Sequence, residues 1–189
     1  MVNSTPTIQD NLLDAASRVV AAKGIGNLTL DAVAAEAGMS KGGLLHHFPS
    51  KDRLVEAMVE RAASCWQKHF TEAYEKADPG PGRMVRGLLK ECVCDAQCWT
   101  EQLRTTWSAV FAALAQNPSL IASMRAAYDE LYERIAEDGL PSGAGETIMA
   151  AIDGLWLEWV LGLVPLNKER VVRVRVALEG YLAQLESTK

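Results

Sequence analysis

Apolar side chains recur at every third or fourth position along most of the chain, and strand-like alternation is almost absent. In the first such segment Leu12, Ala16 and Val20 fall on one helical face, and Gly24 follows where a helix should end. The pattern predicts an all-α protein of about nine helices. They are predicted at about 7–23, 30–37, 41–47, 51–76, 83–97, 101–116, 118–137, 145–163 and 168–185.

Two short predicted helices are joined by the tetrapeptide Ala37-Gly38-Met39-Ser40. Thr29 and Ser40 stand at the N-cap positions of these helices, and Pro49 ends the second one. Two such helices with a short turn form a helix-turn-helix candidate, whose second helix enters the major groove of DNA by its N-terminal residues. The sequence therefore predicts a three-helix DNA-binding domain over residues 1–50, joined by a long helix to a second helical domain within residues 51–189.

The start of the second helix has the chemistry that this role requires. Ser40 offers a hydroxyl and Lys41 offers a charge. Gly42 and Gly43 have no side chain that would keep the helix away from DNA. Each glycine costs a helix interior about 1 kcal/mol relative to alanine. The pair therefore favours a close approach to DNA, and the alternative is a flexible loop over 41–43.

The order of residues in this region resembles the N-terminal domain of the TetR family of bacterial transcription regulators. The resemblance rests on Ala-Gly-Met-Ser-Lys-Gly at 37–42 and His-His-Phe-Pro-Ser-Lys at 46–51, and it covers about residues 7–54. It implies a homodimer that binds a palindromic double-stranded DNA operator, usually as a repressor, with a C-terminal domain that dimerises and holds a small effector. The DNA contacts that it implies are Thr29, Ser40, Lys41, Gly42, Gly43, Leu45, His46, His47 and Lys51.

Three of these positions depart from the common pattern of the family. Leu45 and His47 stand where tyrosines are frequent, and Gly43 stands where threonine is frequent. Leu45 is accordingly either a core residue or a contact to a thymine methyl group.

The charge of the chain qualifies the DNA-binding prediction. The 189 residues carry 19 basic and 24 acidic side chains, a formal charge of −5, whereas DNA-binding domains usually have a basic surplus. Locally, Lys41, Lys51 and Arg53 oppose only Asp52 between residues 40 and 53. Binding is therefore expected to need a few phosphate contacts from each of two subunits. The alternative is a helical small-molecule-binding or adaptor protein that does not bind DNA.

All five tryptophans follow Arg53, in the predicted second domain. Aromatic residues with a nearby carboxylate suit a lipophilic cation, although a neutral aromatic or acyl effector would use the same apolar walls. Each aromatic residue is otherwise a core or interface residue. The candidate effector-binding residues are Trp66, His69, Phe70, Trp99, Trp107, Phe111, Met149, Asp153 and Trp156.

The last two predicted helices each have a wide apolar face, and such helices from two subunits can form a four-helix bundle. The alternative is that both faces are buried within one subunit. The candidate dimer-interface residues are Ile148, Ile152, Leu155, Trp159, Leu163, Val171, Val174, Leu178, Tyr181 and Leu185.

Other classes of protein find little support in the sequence. It has no G-x-S-x-G, P-loop, H-E-x-x-H or dinucleotide motif, so we expect neither an enzyme nor a cofactor. Cys92, Cys94 and Cys98 lack metal-ligand spacing, so no metal site is expected; they are structural thiols or, alternatively, sense oxidants or metals. The polar start and the absence of a long apolar run predict a cytoplasmic protein without a membrane span.

Overall fold

The protein is described here from a computed structural model, which covers residues 7–94, 99–115, 117–165 and 167–187. The described residues form nine α-helices and no strand, which confirms the all-α prediction. The helices are α1 Ile8–Lys23, α2 Leu30–Glu36, α3 Lys41–His47, α4 Lys51–Lys76, α5 Arg83–Cys94, α6 Glu101–Leu114, α7 Ala122–Ala136, α8 Ala144–Val160 and α9 Lys168–Ser187.

Two helix boundaries differ from the predicted ones for local reasons. The predicted helix at 118–137 starts as a separate 3-10 turn, Pro118–Ile121, before α7 begins. The predicted helix at 145–163 ends at Val160, because Gly162 adopts a left-handed φ of 68°. The N–H of Leu163 then donates to the carbonyl oxygen of Glu158 at 2.9 Å, which closes the helix in a Schellman motif.

The helices group into two compact units. The N-terminal unit contains the described residues up to Ala62 together with Glu101–Met124, and the C-terminal unit contains those of 63–100 and 125–189. Helix α4 begins in the first unit and ends in the second. The predicted domain boundary at residue 50 separates two predicted functions, and it stays a prediction. Contacts between residues instead group 101–124 with the N-terminal helices.

The N-terminal unit has a small apolar core in which α1 packs against both α2 and α6. Leu12, Leu28, Val33 and Leu44 are fully buried there. Helix α1 begins with a capping box. The Oγ1 of Thr7 accepts the backbone N–H of Asp10 at 3.1 Å, and the Asp10 carboxylate accepts the backbone N–H of Thr7 at 2.9 Å. This core fixes the position of α3 through Leu44.

The C-terminal unit has a larger core, built from α4, α5, α7, α8 and α9. Its buried residues are Phe70, Ala73, Met84, Val85, Leu88, Leu89, Leu131, Ile135, Ile148, Met149, Ile152 and Leu182. Asp138 caps α5 from outside that helix, because its carboxylate accepts the N–H of Met84 at 2.9 Å and the N–H of Val85 at 3.2 Å. None of the helices in the described part of the chain combines the length and the apolar character needed to cross a membrane.

Helix α5 has no room for a side chain at Gly87 against the backbone of α4, and we expect Gly87→Ala to lower the free energy of unfolding by about 1–3 kcal/mol. A Cβ atom at this position would lie 2.4 Å from the carbonyl oxygen of Ala73, which is backbone and cannot rotate away. Equilibrium denaturation measures the change. Gly42→Ala is the matched control, because a Cβ there meets nothing within 4 Å. A similar loss in both variants would contradict the role of the α4–α5 contact.

Candidate functional site

The helix-turn-helix is built by two local motifs. Helix α2 ends in a Schellman motif, in which Gly38 has a φ of 67° and the N–H of Met39 donates to the carbonyl oxygen of Ala34 at 2.9 Å. Ser40 then caps α3 by accepting the N–H of Gly43 on its Oγ at 3.1 Å. Leu44 and Phe48 are buried and hold one side of α3 in the unit, which leaves the other side to solvent.

Most of the predicted DNA contacts are exposed to solvent. The residues Thr29, Ser40, Lys41, Gly42, Leu45, His46 and Lys51 are exposed, and Gly43 and His47 are half-buried. Leu45 is 38% exposed, so it is not a core residue; its neighbour Leu44 has that place. The imidazole rings of His46 and His47 stand edge to face, 5.5 Å apart.

Lys41 has a partner that the sequence did not indicate. Its Nζ lies 2.9 Å from the Oδ2 of Asp31 on α2, and both side chains are more than half exposed. Such surface ion pairs contribute at most about 1 kcal/mol, so a DNA phosphate can compete for the lysine. The pair joins residues ten apart in two helices, which no helical spacing predicts.

The two glycines of α3 have different surroundings. A Cβ on Gly43 would lie 3.0 Å from the Cγ of Met39 and 3.3 Å from the Oγ of Ser40, so the protein itself restricts that position. A Cβ on Gly42 would meet nothing within 4 Å. Packing within this chain therefore does not account for the glycine at 42, which costs the helix stability.

Several predicted effector-binding residues converge in the C-terminal unit. On α4, the ring of Trp66 stacks on His69 at 5.7 Å and meets Phe70 edge-on at 6.1 Å. Tyr128 of α7 lies 6.4 Å from Trp66, and its hydroxyl donates to the Oδ1 of Asp153 on α8 at 3.0 Å. We call this group, with the neighbouring Tyr132, the aromatic cluster: Trp66, His69, Phe70, Tyr128, Tyr132 and Asp153.

Sequence reasoning missed Tyr128 and Tyr132. Their spacing of four on a predicted helix places them on one face, and their rings lie 6.3 Å apart. That spacing was a signal, but nothing in the sequence pairs this face with Asp153. Phe70 is fully buried, whereas the other five side chains of the aromatic cluster are half-buried.

Two titratable groups of the aromatic cluster have raised pKa values. Burial raises the pKa of the Asp153 carboxyl, and the hydrogen bond from Tyr128 only partly opposes this. Burial also raises the pKa of Tyr132, with further contributions from the negative charges of Asp153 and Glu146. The indole N–H of Trp66 is buried without an acceptor among the described residues.

The remaining predicted effector-binding residues are Met149, Trp156, Trp99, Trp107 and Phe111. Met149 is fully buried in the core of the C-terminal unit, and Trp156 is half-buried on α8. Trp99 packs on Trp159 with ring centroids 5.2 Å apart. Trp107 and Phe111, 6.2 Å apart, belong to α6 and hence to the N-terminal unit.

The predicted dimer interface needs correction on α8. Ile148, Ile152, Leu155 and Trp159 are at most 8% exposed within a single chain, so they fill its core and are not available to a second copy. On α9, Val171 and Leu178 pack against the core, and Val174 and Leu185 are half-buried. The more exposed candidates are Tyr181 of α9, at 37%, and Leu163 between the two helices, at 69%.

The exposed face of α8 lies on its other side and carries no charge. It consists of Thr147, Ala150, Gly154, Leu157 and Leu161, spaced three or four residues apart. Of the eight large exposed apolar side chains in the described residues, six lie on α8, on α9 or between them: Leu157, Leu161, Leu163, Val172, Val176 and Tyr181.

The cysteine predictions fall largely outside the described structure. The side chains of Cys92 and Cys94, and the whole of Cys98, are not among the described residues. Cys65 is exposed on α4 and forms no disulfide. Within the described part, no three histidine, cysteine, aspartate or glutamate side chains come together as a metal site would require.

Two family models match the chain. The one described as "Bacterial regulatory proteins, tetR family" matches residues 12–58, and the one described as "Tetracyclin repressor-like, C-terminal domain" matches residues 82–183. The first match contains α2, α3 and the turn between them, and the second contains most of the C-terminal unit.

Known proteins are similar over most of their length. The HTH-type transcriptional regulator BetI of Burkholderia mallei is 26% identical over 181 residues, which is 92% of this chain and 91% of the relative. The structure of a TetR-family member from Streptomyces coelicolor A3 has a TM-score of 0.67 at 24% identity, covering 92% of this chain and 98% of the other. The multidrug binding protein EbrR complexed with ethidium has a TM-score of 0.65 at 22% identity, covering 93% and 99%. These two structural likenesses show the fold alone.

Proposed function

Because the chain belongs to the TetR family of bacterial transcriptional regulators, we propose that it binds a palindromic operator as a homodimer and represses transcription in the cytoplasm. A small lipophilic or aromatic effector then releases it from DNA. The observation that carries this proposal is the exposed start of α3, where Ser40, Lys41 and Gly42 face solvent while Leu44 anchors the helix.

In the proposed complex, α3 enters the major groove and the neighbouring helix starts contact phosphates. The hydroxyls of Thr29 and Ser40 already accept backbone N–H groups as caps, at 3.1 Å each, so they bind phosphate by donating their own protons. Lys41 exchanges Asp31 for a phosphate or a base edge. Lys51 and His46 are exposed and His47 is half-buried, and in the proposed complex each adds a phosphate contact.

Gly42 should matter for DNA approach rather than for folding, and we expect Gly42→Ala to weaken operator binding about tenfold because of a new steric contact in the groove. Its free energy of unfolding should stay unchanged or rise by up to about 1 kcal/mol, since alanine favours the helix. Fluorescence anisotropy and denaturation measure the two effects. Gly26→Ala, at an equally open and exposed position, should leave operator binding unchanged. Equal operator affinity in both variants would contradict the role of Gly42.

We assign the dimer interface to the exposed face of α8 together with Val172 and Val176 of α9. The exposed face of α8 is uncharged, and a two-fold interface requires one surface that is complementary to itself. The ion pair between Arg170 and Glu158, 2.5 Å apart, joins the start of α9 to the end of α8.

Release by an effector requires that the effector bind the DNA-free and DNA-bound forms with different affinities. The aromatic cluster is the candidate site. Trp66, His69 and Phe70 lie on α4, the same continuous helix that begins with Lys51 beside α3. A ligand that moves α4 at the aromatic cluster would therefore act on a helix shared with the DNA-binding unit.

The proposal is tested by titrating the purified protein into labelled fragments of the DNA that flanks its own gene, at two salt concentrations. We expect saturable, sequence-selective binding whose affinity falls steeply with salt. Failure of selective binding against a genomic fragment pool would instead support the alternative function, a helical ligand-binding or adaptor protein that does not bind DNA.

A further inference from the structure

We infer that the ligand of the aromatic cluster is an organic cation, and that Asp153 is its counter-ion. This assignment rests on the proposed function, because it names the chemical class of the effector for the site proposed above. It is drawn from the charges and contacts around Asp153.

The carboxylate of Asp153 lacks a positive partner in the described part of the chain. Its hydrogen bond there comes from the Tyr128 hydroxyl, at 3.0 Å, and no ion pair involves it. The guanidinium of Arg134 lies over the ring of Phe70 at 5.3 Å. That guanidinium is already bonded to Glu130 at 2.7 Å.

A second carboxylate adds to the negative potential. Glu146 and Asp153 both raise the pKa of Tyr132, which shows that the field of both carboxylates reaches the aromatic cluster. An anionic ligand would be repelled here. A neutral ligand would leave the half-buried Asp153 without a compensating charge, whereas a cation supplies it.

The rings provide the other half of the site. Trp66, Tyr128 and Tyr132 are half-buried beside Asp153, and the faces of such rings attract cations electrostatically. The aromatic cluster therefore has the composition of a ligand site.

The test compares two probes of the same shape, phenyltrimethylammonium and its neutral isostere tert-butylbenzene, on the full-length protein. Both are titrated by ¹H–¹⁵N NMR of the tryptophan indoles, with the Trp66 cross-peak assigned from Trp66→Phe. We expect the Trp66 cross-peak to shift and the cation to bind at least tenfold more tightly than the isostere. Equal affinities, or no shift of the Trp66 cross-peak with either probe, would overturn the inference.

Two variants locate the charge preference. Asp153→Asn should reduce the affinity for the cation to that for the isostere, while Asp129→Asn should preserve the preference. Asp129 is the matched control because it is an exposed carboxylate adjacent to Tyr128 on α7 and its removal changes the net charge equally. A preference that persists in Asp153→Asn would overturn the inference, and the comparison of probes on the unmodified protein stands even where that variant is unstable.

The outcome is separable from that of the proposed function. Selective operator binding without any preference for the cation would overturn this inference alone. A preference for the cation in a protein that binds no operator would overturn the regulator proposal while leaving the assignment of the ligand class in place.

Discussion

Lys41→Glu should lower the operator affinity of the dimer by about 100-fold or more, because a charge-assisted contact worth about 1.5–3 kcal/mol is lost in each subunit. The new carboxylate would also face Asp31, whose Oδ2 now lies 2.9 Å from the Lys41 Nζ, and would carry negative charge toward the phosphates. Since two cationic contacts disappear per dimer, the slope of log affinity against log salt should decrease by about two. Anisotropy titrations at several salt concentrations measure both quantities.

Lys68→Glu is the matched control for this experiment. It makes the same change of charge at an exposed lysine of α4 that also has a carboxylate partner, Glu72, at 3.8 Å. Lys68 belongs to the C-terminal unit, outside the predicted DNA contacts. A comparable loss of affinity in both variants would mean that overall charge, and not contact by α3, determines binding.

Much of the fold could be predicted because the residues that begin and end its helices can be recognised in the local sequence. Thr29 and Ser40 cap α2 and α3 as the sequence indicated, and Gly38 adopts the left-handed conformation that stops α2. These features depend on residues within four positions of one another. The grouping of α6 with the N-terminal helices depends on contacts between distant segments, and it left no such local signal.

The candidate sites divide in the same way. The exposed start of α3 follows from the spacing of Ser40, Lys41 and Leu44 on one short helix. The hydrogen bond between Tyr128 and Asp153 depends on how α7 and α8 cross, which periodicity does not specify. Recognition of Asp153 and Trp66 as candidates was possible from residue type, but their common neighbourhood was visible only in three dimensions.

Helix α8 shows why periodicity alone could not indicate which of its two apolar faces is exposed. One face carries Ile148, Ile152 and Trp159, and the opposite face carries Gly154, Leu157 and Leu161, so both lack charge. A pattern of this kind predicts that the helix is covered on both sides, without showing which side meets the core. The larger side chains occupy the core, and Leu157 and Leu161 on the opposite face are exposed.

That exposed face leads to the second strong effect: Leu157→Arg should dissociate the dimer, raising its dissociation constant by about 100-fold or more, because burying unpaired charge costs several kcal/mol. Leu157 is 41% exposed in a single chain, so the variant should fold normally. A two-fold interface contains the substitution twice, which places two guanidinium groups on the same apolar surface. Analytical ultracentrifugation over a range of concentrations measures the dissociation constant.

Loss of the dimer should also weaken operator binding, because the two recognition helices no longer bind as one unit. Ile8→Arg is the matched control, since Ile8 is an apolar residue of α1 that is 52% exposed and lies outside the proposed interface. It should leave the dimer intact. If Leu157→Arg remained as dimeric as the control, the exposed face of α8 would not be part of the interface and the assignment would be wrong. The comparison thus decides which exposed surface joins the two subunits, independently of whether the dimer binds DNA.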